Sequence, residues 1–595
     1  MEAPNRNLLW AKVFVQELAR SGLRAACIAP GSRSTPLAIA LAEQPEITVY
    51  SLIDERSCAF FALGLALSSE QPVAILCSSG TATAYFYPAI IEAHHSGVPL
   101  IVLTADRSHE LRDSGANQTV DQIKMYGDHV LWSVDVALPE AQPPAVLIRS
   151  LRTLANRAYA TANGMMGATV KGAVHLNFPF RKPLEPTYVE SDLHEVPDER
   201  ADNPFTTISR SEFSPTLSQV RLVADAIREA RRGIIVCGPR HVGDSFHHAI
   251  ADLAEASGFP VLADPLSGVR FHPKIKRVIG GYDTFLKAAA WESPDVVLHF
   301  GAAPTSQTLD DYLNQITLSA RIAISADGQW RDPNHRISHF IWAEPYALAE
   351  RVAQQLSHAT TRAIDEAWIE QFTRAEAAAW EVIDDELTNN TYFDGAVLAD
   401  VVDLLPDHAM LFVASSLPVR HLDQFGKPNT KALRVFANRG ASGIDGTISS
   451  ALGAGAARPN LPLTLVTGDL AFYHDMNGLL AIKRLGIKAT IVVINNDGGG
   501  IFHRLPVAKF DPPFTDLFVT PHGLTFEHAA QMYGLDYVQA GDISSFRNAF
   551  AASLASQNST IIEVPTNAEH DLARRNQIVS RVVERLKTTV ANNVL

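Results

Sequence analysis

The stretch LTLVTGDLAFYHDMNGLLAIKRLGIKATIVVINNDGGG, residues 463–500, combines two apolar runs with a helical pattern between them. Leu463–Thr467 and Thr490–Ile494 are short continuous apolar runs that end in glycine-containing turns, which is typical of buried strands in a parallel sheet. The pattern between them continues through Lys483 and predicts a helix that crosses over from one strand to the next. This strand–helix–strand unit indicates a doubly wound α/β fold.

The same alternation occupies the rest of the chain, whose 595 residues suggest roughly three domains. We predict three doubly wound, parallel-sheet α/β domains at 1–190, 191–362 and 363–595. Arg181–Arg210, rich in proline and acidic residues, is predicted to be a linker, and Thr360–Leu387 to be mainly helical. The other predicted strands are Ala25–Ala29, Val73–Cys77, Pro99–Thr104, Gly233–Cys237, Pro260–Ala263, Val296–Phe300, Arg321–Ser325, Ala409–Ala414 and Leu433–Ala437.

Composition and charge narrow the classes of function. The formal net charge is −14, and no basic face suggests a nucleic-acid partner. The 4 cysteines form no C-x-x-C pair, so zinc sites are not expected. Cys27, Cys77 and Cys237 lie in apolar runs and are predicted to be buried thiols of a reducing compartment. Residues 1–22 indicate an amphipathic helix rather than a signal peptide, and Cys58–Leu67 is too short for a membrane span. We therefore expect a cytoplasmic protein.

A carboxylate and an amide follow the two strands of the opening stretch. Asp469 comes after the first strand and Asn496 after the second. Because the carboxyl ends of neighbouring parallel strands meet at one edge, we expect these side chains to lie close together. Either turn alone is typical of ordinary turn chemistry. Together with the carbonyl of Gly498, they offer the hard oxygen ligands that Mg²⁺ prefers.

Charged residues also mark other predicted strand ends. Glu55 heads the helical pattern at 54–66, where a carboxylate by itself merely suits the helix dipole. The planar arginine side chain matches carboxylates in bidentate fashion, although a single loop arginine is more often solvated. A set of arginines in Gly- and Ser-rich turns therefore predicts substrates with several carboxylates. These are Arg33, Arg107, Arg420 and Arg439.

Five segments resemble the MenD family of thiamine-diphosphate-dependent enzymes, in the same order along the chain. They are PGSRSTP at 30–36, TADR at 104–107, GANQ at 115–118, NRGASGIDG at 438–446 and IFHRLP at 501–506. Gly468-Asp469 followed by Asn495-Asn496 resembles the general cofactor motif of these enzymes. Leu470 stands where that general motif has glycine, which is similar to the MenD branch.

The resemblance implies thiamine diphosphate and Mg²⁺ (or Mn²⁺) as cofactors. It implies a pyrimidine-binding, a central and a diphosphate-binding α/β domain. The implied reaction decarboxylates 2-oxoglutarate and adds the succinyl carbanion to isochorismate in a Stetter-type conjugate addition of menaquinone biosynthesis. Glu55 and Asp469 would come from different subunits, so at least a homodimer, or a homotetramer, is implied.

Residue roles are carried over position by position. Glu55 would hydrogen-bond N1′ of the cofactor's aminopyrimidine and so promote proton loss from C2. Ile444 would hold the cofactor in its V shape, and Phe502 and Leu505 would line the pocket. Asp469, Asn496 and Gly498 would bind the metal and diphosphate. The residues implied to face the substrates are Ser32, Arg33, Asn117, Gln118, Ser416, Arg420 and Arg439, with Arg33, Arg420 and Arg439 catalytic.

Two positions need separate comment. Gln307 stands where the resemblance implies a lysine, so a carboxylate contact from the central domain stays open. His94-His95 resembles the paired histidines of pyruvate decarboxylases, but we interpret the pair as helix-end residues.

Three alternative functions stay open. The first is another thiamine-diphosphate 2-oxoacid decarboxylase or an acetolactate-synthase-like enzyme, and the second is a non-catalytic scaffold. The third, a nucleotide-binding enzyme, is disfavoured because Gly238-Pro239-Arg240 lacks the G-x-G-x-x-G pattern.

Overall fold

A computed structural model describes residues 1–166, 170–197, 200, 202–211, 213–239, 245–273, 275, 277–288, 291–317, 320–357, 365–389 and 392–591. Within these ranges the chain forms three six-stranded sheets. All of the paired strands are parallel, and helices alternate with them along the chain. The predicted three-sheet α/β fold is confirmed. No helix in the described ranges is long and apolar enough to cross a membrane.

The first sheet follows the N-terminal helix. Its strands are β1 (Ala25–Ile28), β2 (Thr48–Ser51), β3 (Val73–Cys77), β4 (Leu100–Arg107), β5 (Trp132–Asp135) and β6 (Ala173–Phe180). Its helices are α1 (Arg6–Ser21), α2 (Thr35–Ala42), α3 (Glu55–Ser69), α4 (Thr81–Tyr85), α5 (Tyr87–Ser96) and α6 (Ala145–Ala162). The strand order is β2-β1-β3-β4-β6-β5.

The second sheet has a different order, β12-β11-β10-β7-β8-β9. Its strands are β7 (Gly233–Cys237), β8 (Val261–Ala263), β9 (Val278–Ile279), β10 (Val296–Phe300), β11 (Ala320–Ser325) and β12 (His339–Trp342). Its helices are α7 (Leu217–Glu229), α8 (Phe246–Ser257), α9 (Tyr282–Phe285), α10 (Gln307–Gln315), α11 (Pro345–Ser357) and α12 (Glu366–Asn389). The predicted boundary at 362/363 and residue Arg240 lie outside the described residues.

The third sheet repeats the order of the first, as β14-β13-β15-β16-β18-β17. Its strands are β13 (Met410–Val413), β14 (Arg434–Phe436), β15 (Leu463–Gly468), β16 (Thr490–Asn495), β17 (Asp536–Gln539) and β18 (Thr560–Pro565). The helices of this part are α13 (Asp394–Leu404), α14 (Leu417–Phe425), α15 (Thr447–Ala456), α16 (Asp469–Asp475), α17 (Leu480–Leu485), α18 (Glu527–Tyr533), α19 (Ile543–Ala555) and α20 (Ala568–Ala591).

Two sequence predictions need correction. The crossover predicted as one helix through Lys483 is α16, a 3-10 turn at Met476–Leu479, and α17. The strand predicted at Pro99–Thr104 continues to Arg107, because its last residues pair with the end of β6. Arg107 is therefore the last residue of a strand and does not lie in a turn.

The chain divides into two compact units. The first unit consists of residues 1–211, 438–460 and 474–487, and the second of residues 212–437, 461–473 and 488–595. The first sheet belongs to the first unit, and the other two sheets belong to the second. Helices α15 and α17 follow strands of the third sheet in sequence but belong to the first unit, where α15 packs against α3.

Candidate active site

The carboxyl edge of the third sheet holds Asp469, Asn496 and Gly498 together. Strands β15 and β16 are paired neighbours, so their ends are adjacent, as the sequence pattern predicts. The Asp469 carboxylate is 2% exposed, and its Oδ2 accepts hydrogen bonds from the N–H groups of Asn496 at 3.1 Å and Gly498 at 2.9 Å. Its Oδ1 accepts from the Leu470 N–H at 2.7 Å. The carboxylate is thereby fixed at the strand ends.

The oxygens at this edge fit a hard divalent cation. The buried Oδ1 of Asn496 has no hydrogen-bond partner in the described part of the chain. The Gly498 carbonyl accepts from the Gly500 N–H at 2.9 Å and keeps a second lone pair. Gly498 has a φ of +129°, and a Cβ there would lie 2.1 Å from the Val519 carbonyl oxygen, so a side chain is excluded. One carboxylate, one amide and one carbonyl are typical Mg²⁺ ligands.

Other metal chemistry has less support. Of the residues that the structure describes, no group of three or more His, Cys, Asp or Glu side chains is arranged to hold a metal ion. The Asp469, Asn496 and Gly498 set is of a different kind, because two of its three oxygens are uncharged.

His522 faces the same carboxylate, and the sequence analysis did not single it out. Its Nε2 lies 3.3 Å from the Asp469 Oδ2. The Leu524 N–H donates to Nδ1 at 3.0 Å, so the neutral ring carries its proton on Nε2, toward the carboxylate. Burial raises the pKa of Asp469, and the N–H groups of Gly498 and Leu470 and the His522 ring oppose that shift. A lone loop histidine offers no periodic signal that could have identified it.

Glu55 is the first residue of α3, as predicted, and is half-buried. The preceding Asp54 caps the helix by accepting from the Ser57 N–H at 3.0 Å. Farther along α3, a Cβ at Gly64 would lie 1.8 Å from the carbonyl oxygen of Ser450 on α15. The small residues of α3 therefore permit backbone contact with α15.

The loop that carries Ile444 also lies against α3. Gly446, two residues later, has a φ of +62°, and a Cβ there would lie 2.0 Å from the Phe60 ring. Ile444 itself is half-buried, and its carbonyl accepts from the Thr447 hydroxyl at 3.0 Å. The structure thus brings the segments of Glu55 and Ile444 together within the first unit.

The carboxyl edge of the first sheet is cationic. Arg33 is 7% exposed and donates from Nη1 to the Phe180 carbonyl at 2.9 Å. Its buried Nε–H has no hydrogen-bond partner among the described residues. Burial and the positive charge of Arg107 lower the pKa of Arg33, while Asp106 and Glu185 oppose that change. An unpaired N–H on a buried guanidinium favours an anionic ligand.

Arg107 organises the neighbouring loop. Its Nη2 donates to the Asn117 carbonyl at 2.9 Å, and its Nη1 donates to the Ser79 hydroxyl at 3.1 Å. Gln118, at a φ of 55°, donates from Nε2 to the Ser79 carbonyl at 2.8 Å. Four predicted substrate residues, Arg33, Arg107, Asn117 and Gln118, are thereby gathered here. Ser32 is exposed in the turn before α2.

A buried glutamate that the sequence analysis missed holds the loop of Arg439. Glu92 on α5 is 3% exposed and accepts from the N–H groups of Gly440 and Ala441, each at 2.7 Å. The Ser96 hydroxyl also donates to it. The available signal was a charge inside the apolar run Pro88–Ala93, since such a charge must find partners.

Arg420 and Ser416 lie at the start of α14. Arg420 was predicted in a turn but is within this helix, where its Nη1 donates to the Ser416 carbonyl at 2.6 Å. Ser416 has a φ of 73°, a strained value that is common at functional sites. Arg504, which was not predicted, lies near Arg420. Burial lowers the pKa of Arg504 to about 10, and the positive charges of Arg575 and Arg420 add to this shift.

The remaining residues singled out in the sequence are Phe502 and Leu505, which were predicted to line the pocket, one residue in α10, two at the end of α5 and the buried cysteines. The Phe502 and Phe518 ring centroids are 5.6 Å apart, and Leu505 is 47% exposed. Gln307 is the first residue of α10 and donates to Asp311 at 2.8 Å. The predicted helix-end position of His94 and His95 is confirmed at the end of α5. The cysteines predicted to be buried are buried, as is the fourth, Cys58: the others are Cys27, Cys77 and Cys237.

Comparisons with known proteins agree with this arrangement. Three family models match in order: the N-terminal TPP binding domain of thiamine pyrophosphate enzymes at residues 10–125, the middle domain at 203–413 and the C-terminal TPP binding domain at 421–564. Curated relatives named 2-succinyl-5-enolpyruvyl-6-hydroxy-3-cyclohexene-1-carboxylate synthase match nearly the whole chain. The Roseiflexus castenholzii protein is 53% identical, covering 97% of this chain and 98% of its own length.

More distant relatives carry the same name. The Haloarcula marismortui protein is 48% identical, covering 98% of this chain and 100% of its own length. The resemblance predicted from the motifs is confirmed, and the non-catalytic scaffold is disfavoured. The chain therefore belongs to the thiamine pyrophosphate enzymes and, among them, to the 2-succinyl-5-enolpyruvyl-6-hydroxy-3-cyclohexene-1-carboxylate synthase family.

Proposed function

We propose that this enzyme decarboxylates 2-oxoglutarate and adds the succinyl unit to isochorismate, giving 2-succinyl-5-enolpyruvyl-6-hydroxy-3-cyclohexene-1-carboxylate in menaquinone biosynthesis. The observation that carries the proposal is the 53% identity, over 97% of this chain, to a relative named for that product. The arginines support it, because both substrates carry carboxylates that planar guanidinium groups bind well. The enzyme is a carboligase of the transferase class.

Thiamine diphosphate, the cofactor of this family, supplies the carbon nucleophile when it is bound. Glu55 hydrogen-bonds N1′ of its aminopyrimidine and manages the proton there, a general acid–base role. Ile444 would support the cofactor, and Phe502 would line its pocket. The position of Glu55 at the head of α3 supports its assignment, and Ile444 is half-buried in the loop before α15.

Asp469, Asn496 and Gly498 bind Mg²⁺, or Mn²⁺, together with the diphosphate. The unpaired Asn496 oxygen and the fixed Asp469 carboxylate support this assignment. Substrate carboxylates bind the cationic groups at other strand ends, with Leu505 lining the pocket. The residues proposed to face the substrates are Ser32, Arg33, Arg107, Asn117, Gln118, Ser416, Arg420 and Arg439.

The active enzyme is at least a homodimer in which Glu55 of one subunit serves the cofactor held by Asp469 of another. Co-expression of Glu55→Gln and Asp469→Ala chains tests this arrangement. A mixed dimer then has one site with both residues intact, so activity should reappear although each variant alone is inactive. If purified mixed dimers stay inactive, the shared site is wrong.

Two further assignments complete the proposal. The protein is cytoplasmic, which its four buried cysteines support, since buried thiols are typical of a reducing compartment. The domains are 1–190, 191–362 and 363–595, which is supported by sheets whose strands lie within 25–180, 233–342 and 410–565.

A two-substrate assay tests the function. Wild-type enzyme should release CO₂ slowly from 2-oxoglutarate alone and rapidly when isochorismate is added. Pyruvate should react poorly, because the groups that pair with the distal carboxylate stay unpaired. Rapid pyruvate consumption without dependence on isochorismate would favour an acetolactate-synthase-like enzyme or another 2-oxoacid decarboxylase and would overturn the proposal.

A further inference from the structure

The short segment His474–Asn477 contacts three residues next to Glu55, namely Asp54, Arg56 and Ser57. The Arg56 side chain donates from Nη2 to the His474 carbonyl at 2.6 Å. The Asn477 Nδ2 donates to the Asp54 Oδ2 at 3.0 Å. These contacts lie on both sides of Glu55 in sequence and within the first unit. The residues in these two contacts are 418 and 423 positions apart in the sequence.

Asp475 is the centre of this segment. It is 0% exposed, and its Oδ1 accepts from the Ser57 hydroxyl at 3.3 Å. Its Oδ2 accepts from the Ser449 N–H at 2.6 Å, and the Ser449 hydroxyl donates to Oδ1 at 3.0 Å. The carboxylate therefore joins the first turn of α3 to the first turn of α15.

The surroundings of Asp475 require an acceptor with two oxygens. Burial raises its pKa to about 6, and the Ser449 donors and the Arg56 charge oppose the shift. A Cβ at Gly478, directly after Asn477, would lie 2.5 Å from the Ser449 hydroxyl, so the backbone at the end of the segment approaches α15 closely. A solvated turn needs no such arrangement, whereas a buried carboxylate that lost its donors would be costly.

We propose that His474–Asn477 is a positioning element for Glu55, with Asp475 as its principal positioning residue. By holding Asp54, Arg56 and Ser57, it fixes the direction of the first turn of α3. Both sequence neighbours of Glu55, Asp54 and Arg56, are held by this segment, which fixes the backbone that carries the Glu55 side chain. This inference rests on the proposed role of Glu55 at N1′. Misplacement by about 1 Å costs on the order of 100-fold in rate in well-oriented sites.

The test measures exchange of the C2 proton of bound thiamine diphosphate into D₂O, by NMR after acid quench, with the full-length holoenzyme. Asp475→Asn retains one acceptor oxygen and removes the other. The double variant Ser57→Ala/Asn477→Ala removes two links and leaves Asp475 in place, in case the first variant does not fold. Ser69→Ala, which removes a hydroxyl from the last turn of α3, is the matched control.

At saturating cofactor, exchange should slow by ~10–100-fold in the Asp475→Asn and double variants. Cofactor affinity and thermal midpoint of the double variant should stay close to those of Ser69→Ala, which a merely structural role would not predict. If Glu55→Gln exchanges slowly but both segment variants exchange at the wild-type rate, the positioning role is overturned. If Glu55→Gln itself exchanges at the wild-type rate, the proposed function of Glu55 has failed instead.

Discussion

The first and third sheets have the same strand order but different chemistry at their carboxyl edges. Where the third and fourth strands end, the first sheet presents the Arg107 guanidinium bonded to Ser79. At the corresponding ends, the third sheet presents the oxygens of Asp469 and Asn496. One edge therefore suits anions and the other suits a cation. Shared topology fixes where ligands bind, and the residues of the loops decide which ligands they are.

The ends of the first strands extend this comparison. After β1 the chain makes a tight turn at Gly31, where a Cβ would lie 2.2 Å from the Ser78 Cβ, and then presents Arg33. After β13 it passes through the strained Ser416 and enters α14, which presents Arg420. Both sheets thus place an arginine beyond the first strand, but on different local structures. The edges differ most in the residues that follow their third and fourth strands.

The largest effect is expected at Glu55, which follows the second strand of the first sheet. Glu55→Gln keeps the size of the side chain and removes its charge. Loss of a general acid–base group typically costs ~10²–10⁴ in rate. C2-proton exchange should slow by that factor while cofactor and Mg²⁺ still bind. Wild-type exchange in this variant would mean that Glu55 is only a helix-end residue.

Removal of the arginines should give the next largest effect. Arg33→Ala, Arg420→Ala and Arg439→Ala should each lower kcat/KM, because a substrate carboxylate loses its partner. The loss corresponds to ~2–5 kcal/mol of transition-state stabilisation. Steady-state kinetics with 2-oxoglutarate and isochorismate measure this loss. The control Arg181→Ala removes an exposed partner of Glu110 and should change little. Arginine variants as active as that control would contradict a carboxylate site.

A smaller effect is expected from the buried carboxylate that holds the Arg439 loop. Glu92→Gln leaves one of the Gly440 and Ala441 N–H groups without an acceptor, which costs ~1–3 kcal/mol. We expect kcat/KM to fall by about tenfold, since the loop relaxes. Glu43→Gln, at an exposed partner of Lys12, is the matched control. Equal kinetics of the two variants would show that the loop does not need Glu92.

The sequence predicted the strands best where they are fully buried. Val73–Cys77, Gly233–Cys237 and Val296–Phe300 have the bounds that their apolar runs indicate. Half-exposed strands such as Thr48–Ser51 gave no such run. The buried strand Thr560–Pro565 was also missed, because Glu563 interrupts it. That carboxylate accepts hydrogen bonds from the distant Phe526 N–H and the Tyr537 hydroxyl, at 2.8 and 2.9 Å.

In the candidate site, too, local sequence patterns indicate some residues and not others. The adjacent strand-end positions of Asp469 and Asn496, and the place of Glu55 at the head of α3, could be predicted because they follow from the strand–helix pattern. For Glu92 the only local signal was a charge inside an apolar run, because its partners are 348 and 349 residues away. Asp475 and His522 likewise depend on contacts that no local pattern encodes. The residues proposed to hold ligands lie in sequence motifs, whereas the residues that hold those motifs in place are identified by tertiary contacts.

The central claim is that the carboxyl edge of the third sheet binds the cation and that of the first sheet binds anions. It is tested most directly by calorimetric titration of thiamine diphosphate in the presence of Mg²⁺. Asp469→Ala removes the carboxylate of the proposed metal site and should weaken binding by at least the ~10–100-fold typical of ligand-supporting groups. Arg33→Ala, at the other edge, should leave cofactor affinity at the wild-type value. Wild-type affinity in Asp469→Ala, or a comparable loss in Arg33→Ala, would contradict the assignment of the cation to the third sheet and of Arg33 to the substrate rather than the cofactor.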